Sequence, residues 1–309
     1  MKRHGFVLAA CWALWGCDDP LLEAQFVEST RVLGARVEVA GAPERARPRP
    51  GESVSVTWLV ADPRPSPALG WDFVACAGEA TSRGVPRCSA APFAAARAPA
   101  PSPAAPLFDF SVPEPGALVN VDRLVVRGAI CADAEVTLAD PIERTACAGD
   151  LTLVAFEIRL ENAGTGNLNP TLADETPSLD GAPWPAPSAE LLLRQDCAAG
   201  DAAPELPLIT ADGGNHALRI ALSASDRETL DTLEGPRPET LQVSHFSTLG
   251  RLDRALSVIE PSAPDTFVDV PWQAPGPGLG AGQVARFYFV VRDLRGGVDW
   301  VVRTACVVP

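Results

Sequence analysis

Lysine is all but missing from this sequence of 309 residues. Lys2 is the only one, and every basic side chain after it, apart from the histidines, is an arginine. Chemistry that needs a lysine amine, such as Schiff-base formation, a Ser-Lys dyad or P-loop phosphate binding, is therefore excluded beyond the first residues. Histidine is nearly as scarce, with His4, His216 and His245. The last two are too far apart in sequence to suggest a metal pair, and a lone histidine in a strand is more often packed or solvated than catalytic. Neither H-E-x-x-H nor G-x-S-x-G occurs, so the two commonest signatures of exported hydrolases are absent. There is also no C-x-x-C, which removes the usual spacing of a structural zinc site. No run of five or more like charges marks an acidic or basic tail.

What is present begins with MKRHGFVLAACWALWGC. A basic head, Lys2-Arg3-His4, precedes an apolar run from Gly5 to Trp15, which is too short for a permanent membrane span and has the order of a secretory signal. Leu14-Trp15-Gly16-Cys17 resembles the lipobox of bacterial lipoproteins, although Trp15 stands where a small residue is usual. The resemblance implies that residues 1–16 are a signal peptide, and that Cys17 is lipidated and becomes the mature N-terminus. The alternative is an ordinary cleaved signal with an incidental Cys17. Residues 17–30 show no clear period and are expected to be a tether to the membrane.

Removing Lys2 and Arg3 leaves 23 basic residues against 39 Asp and Glu, a charge of about −16. Such a chain repels phosphate backbones, so nucleic acid is not an expected partner. The remaining length is enough for two or three domains of roughly 100 to 150 residues.

Beyond Cys11 and Cys17 there are six cysteines: Cys76, Cys88, Cys131, Cys147, Cys197 and Cys306. In an exported chain six cysteines predict three disulfides. Sequence alone does not choose among the fifteen possible pairings, but loop length favours one set. Cys76 with Cys88 and Cys131 with Cys147 close short loops, which leaves Cys197 with Cys306.

The hydrophobic pattern is that of strands. Leu33, Ala35, Val37 and Val39 alternate with smaller or charged residues, as do Val54, Val56, Trp58 and Val60 with Ser53, Ser55, Thr57 and Leu59. Leu69–Cys76 is a third candidate, and Leu124–Cys131 and Leu151–Leu160 are two more. Residues 90–107, nearly all Ala, Pro and Ser, predict an extended, semi-rigid loop or linker. Further on, Leu218, Ile220 and Leu222 alternate, as do Leu241 and Val243. SDRETLDTLEG between them predicts one short helix, with Ser225 and Glu228 spaced as a capping box. Ala285, Phe287, Phe289 and Val291 form one face of a strand. After DLRGG, Val298, Trp300, Val302, Thr304, Cys306 and Val308 form one face of its hairpin partner, and Cys306 is expected to point into the core.

The segments RVLGARVEV, PGESVSVTWLVADP and WDFVAC resemble the opening strands of bacterial immunoglobulin-like domains, and HFSTLG through GQVARFYFVVRDLRGG resembles the second half of an Ig-like or PKD-like domain. The implied architecture is all-β: two or three Ig-like sandwiches in tandem, braced by disulfides, at 31–112, 113–200 (a β-rich middle domain) and 201–309. The whole resembles bacterial lipoproteins built from such domains.

For function, Trp184 and Trp272 lie in Pro-rich segments where a ring could stack on a sugar or bind a protein. Asp212-Gly213-Gly214-Asn215, and Asp293 and Asp299 around Gly296-Gly297, are better read as turns than as calcium loops. No catalytic residue, metal or cofactor is expected. The leading expectation is a non-catalytic, lipid-anchored cell-envelope protein presenting loops to a protein or glycan. The alternatives are a carbohydrate-binding module and an exported hydrolase with an unfamiliar acidic site.

Overall fold

The structure is a computed structural model that describes residues 24–79, 85–161, 166–172, 177–222 and 227–309. The signal, Cys17 and Ser225 lie outside the described residues. The chain is all-β, and its strands build two sandwiches packed side by side.

The first sandwich uses β1 (Arg31–Val39), β2 (Ser53–Ala61), β3 (Leu69–Ala77), β4 (Ala94–Arg97), β5 (Leu107–Ser111), β6 (Arg123–Ala132) and β7 (Leu151–Arg159). One sheet has the order β1-β2-β5 and the other β4-β3-β6-β7. The period-two pattern turns Val37, Val54, Val56 and Trp58 of one sheet toward Phe73, Leu124, Val126 and Ile158 of the other. Trp58 stacks on Phe73 with centroids 5.0 Å apart.

Two expectations change here. The Ala/Pro-rich stretch 90–107 contains the edge strand β4, paired with β3 from Asp72–Arg97 to Ala75–Ala94. Prolines on both sides confine it to four residues and blunt the sheet edge, and small alanine side chains let it lie flat. In addition, residues 113–200 form no separate sheet among the described residues. β6 and β7 complete the first sandwich, and the rest joins the second, because β6 continues the hydrogen-bond ladder of β3 through nine residue pairs.

The second sandwich contains β8 (Pro177–Leu179), β9 (Ala182–Pro183), the one-turn helix α1 (Ala189–Leu192), β10 (Leu208–Thr210), β11 (Asn215–Ala221), β12 (Thr229–Thr232), β13 (Gly235–Pro238), β14 (Leu241–Ser247), β15 (Arg251–Leu252), β16 (Leu256–Ile259), β17 (Phe267–Gln273), β18 (Gln283–Arg292) and β19 (Val298–Val308). Its sheets run β10-β19-β18-β14-β16 and β15-β17-β11-β8-β9. β18 and β19 form the predicted hairpin across Asp293–Gly297. The segment read as a helix is instead the hairpin β12-β13, which pairs with neither sheet. The chain turns back at Gly235, whose φ is 111°, so that Gly235–Pro238 pairs with Thr229–Thr232 in place of a helix.

The two sandwiches meet along an apolar seam. Leu33, Leu59 and Ala61 from β1 and β2 pack with Tyr288, Val290 and Val298 from β18 and β19, and Val27 joins them. Leu59 reaches the seam although the alternation assigns it to the polar face. Polar ties flank the contact. Arg36 pairs with Asp299 at 2.5 Å, the Asn169 amide donates to the Val37 carbonyl at 2.8 Å, and Arg292 donates to the Leu33 carbonyl. The described part of the expected tether is also packed. Gln25 and Val27 are buried, and the Gln25 side chain donates to the Leu252 carbonyl at 2.6 Å. That length of chain is therefore not slack.

Candidate functional site

The six cysteines pair as Cys76–Cys88, Cys131–Cys147 and Cys197–Cys306. Each bridge ties a loop to a strand within one sandwich, and none crosses the seam. Cys306 is buried, but not in the sandwich core. Its face of β19 looks outward, where Cys306 packs with Cys197, Leu191, Leu206 and Val284, while Val301, Ala305 and Val307 fill the core. The run of apolar residues on both faces of β19 hides which face is which.

Trp184 and Trp272 are 1% and 0% exposed, so neither ring is presented to a ligand. The Trp184 indole donates to the Thr304 carbonyl at 2.8 Å and sets its edge against Phe287. The Trp272 indole donates to the Leu249 carbonyl at 2.9 Å and meets the same Phe287 from another direction. Both rings fill the second core: Trp272 from within β17, paired with His216 of β11, and Trp184 from just after the edge strand β9. His216 lies beside Trp272, with its Nδ1 2.7 Å from Asp180. Asp212 accepts the Gly214 amide at 2.7 Å, as expected of a turn.

Asp299 and Asp293 have distinct roles. Asp299 belongs to the seam, where burial raises its pKa and the Leu172 amide and Arg36 oppose that shift. Asp293 organises the β18–β19 turn: one carboxylate oxygen accepts the amides of Arg295, Gly296 and Gly297 at 2.7, 2.9 and 2.8 Å. The other accepts the Asn167 amide.

Next to this turn is the root of the β12-β13 hairpin. Oxygens of Glu228, Glu239 and Asp293 lie within 4.8 Å of one another. That spacing suits a cation, and a guanidinium supplies it: Arg295 pairs with Glu228 and, at 2.8 Å, with Glu239. Burial raises the Glu239 pKa, and the Glu228 amide and Arg295 pull it back. This cluster anchors the hairpin, and at the tip Leu233 is fully exposed. Sequence reasoning missed the arrangement because its parts are up to 67 residues apart.

A cleft of about 310 Å³ lies between the sandwiches, with Trp58, Leu59 and Val60 on one side and Arg286, Tyr288 and Trp300 on the other. Asp62 and Arg64 also line it. Asp62 accepts from the Arg64 guanidinium at 2.9 Å and from the Thr30 hydroxyl, and these bonds hold its carboxyl below the usual range against burial, which pushes it up.

Comparison with protein-family models and with curated proteins finds no match for this chain.

Proposed function

We propose that this chain is a non-catalytic binding protein of the cell envelope, lipidated at Cys17 and docking a protein partner through the β12-β13 hairpin. The observation that carries the reading is the hairpin itself. It stands apart from both sheets, its root is clamped by Arg295 between two glutamates, and it ends in an exposed leucine. An arm held at its root and paired along its length offers an apolar tip with less conformational entropy to lose on binding than an open loop. The buried carboxylates support a structural role, since Glu239, Asp293 and Asp62 are engaged by arginines or backbone amides. A glycan-binding reading loses its two candidate rings to the core.

Two measurements test the proposal. Radiolabelled palmitate is expected to label the wild type and not Cys17→Ala; equal labelling of both defeats the anchor. A pull-down from detergent-solubilised envelope is expected to retain a partner on the wild type and to lose it on Leu233→Asp. Retention on both variants moves the docking surface elsewhere.

A further inference from the structure

Arg286 in the cleft is a cation with no anion of its own. It is 4% exposed, and one guanidinium nitrogen donates to the carbonyls of Leu192 and Arg194, at the end of α1. No carboxylate among the described residues pairs with it, and the one acid lining the cleft, Asp62, is taken by Arg64 and Thr30. An arginine stays protonated under ordinary conditions, so burial leaves it charged and short of a counter-ion.

One further donor lies beside it in the cleft lining. The Tyr288 hydroxyl has no partner among the described residues, on a side chain only 6% exposed. A buried cation without a carboxylate partner, beside a hydroxyl that bonds nothing else, marks a place for an acceptor from outside the chain. The surrounding walls are Leu59, Val60, Trp300 and Val302. They would not stabilise a fully hydrated inorganic anion, but they suit an apolar body.

We infer that the cleft binds a small amphipathic carboxylate, with its anionic head on Arg286 and Tyr288 and its apolar body between β2 and β19. The volume is at the low end of the ~300–1,000 Å³ typical of small-molecule sites, which sets the size class to a single ring or a short branched chain. In a chain carrying a net charge of −14, a local cationic pocket also gives an anion a specific place to dock. This site is independent of whatever the hairpin binds.

The test is calorimetric titration of the full chain with 3-phenylpropionate, its neutral amide and inorganic phosphate. Binding of the carboxylate, with the amide and phosphate each weaker by about tenfold or more, is the expected result. Arg286→Met should weaken the carboxylate by about tenfold or more, and Tyr288→Phe severalfold. Leu193 lines the cleft and is 56% exposed, so Leu193→Trp fills the opening without entering either core and should abolish binding even if Arg286→Met fails to fold. Equal binding of carboxylate and amide, tighter binding of phosphate, no binding, or binding untouched by Leu193→Trp would each overturn the inference.

Discussion

His245 is fully buried on β14, with its Nε2 3.0 Å from the Ser257 hydroxyl. Burial, helped by the charge of Arg254, pushes its pKa down from 6.5 to about 3. Between those two values the unfolded chain holds a proton on this ring that the folded chain does not. Stability is therefore present above pH 6.5 and is lost as pH falls toward 3, by about 3 kcal/mol at pH 4.5 from this residue alone. In urea unfolding at a series of pH values, His245→Gln should lack this part of the acid loss. Identical pH slopes in the two proteins would show that the ring is not held neutral. A second residue with a sharp requirement is Gly128, opposite Phe73 on β3: a methyl group there would sit 2.0 Å from the Phe73 ring. Gly128→Ala is expected to cost about 2 kcal/mol, measured as a lower urea midpoint at unchanged slope. Neither requirement is legible in the sequence. One histidine among alternating apolar residues looks the same whether its neighbours are water or phenylalanine.

Among the elements, the β12-β13 hairpin shows how tertiary contacts override local signals. SDRETLDTLEG has helix-forming residues and a capping pattern, yet Glu228 is used by Arg295 and by the Leu168 amide, not by a helix start. Removing the cation exposes the cost of the arrangement. Arg295→Ala leaves Glu239, 2% exposed, beside Glu228 and Asp293 without its counter-ion, and should destabilise the fold by about 3 kcal/mol at pH 8. The Glu239 pKa is already raised, and without Arg295 it would rise further. Protonation then relieves the variant as pH falls, so the gap to the wild type should narrow from pH 8 to pH 5. Denaturation at both pH values reads this directly, and a gap that widens on acidification contradicts it. By contrast, the β18–β19 hairpin is legible because long alternating runs flank a five-residue turn with two glycines. Its turn is further set by Asp293, which accepts three consecutive loop amides.

For the whole molecule, the seam decides whether there are two tethered sandwiches or one body. Leu59, Tyr288 and Val290 fill it without any disulfide across it. Leu59→Glu places a charge among these apolar groups, and scanning calorimetry should then resolve two transitions where the wild type has one. A single transition at reduced temperature would mean that the sandwiches are coupled by other contacts. The disulfides act within each sandwich. Cys197–Cys306 spans 109 residues and Cys76–Cys88 only 12, so in the chain-entropy model the longer bridge stabilises more, about 4.7 against 3 kcal/mol. Replacing both cysteines of either pair by serine should lower the melting of its own sandwich, and the loss should be larger for the long bridge.

The all-β class and the course of most strands are written in the order of the residues, which also favours, without choosing, the cysteine pairing found in the structure. Alternation along a strand is a local property, and loop closure favours the nearest partner. Packing in three dimensions was needed to show that β6 and β7 complete the first sandwich, that Trp184 and Trp272 are core residues, and that Arg286 faces a cleft without a counter-ion. A period-two pattern records that a face avoids water but not what covers it. β18, apolar on both faces, buries one against its own sandwich and the other against its neighbour.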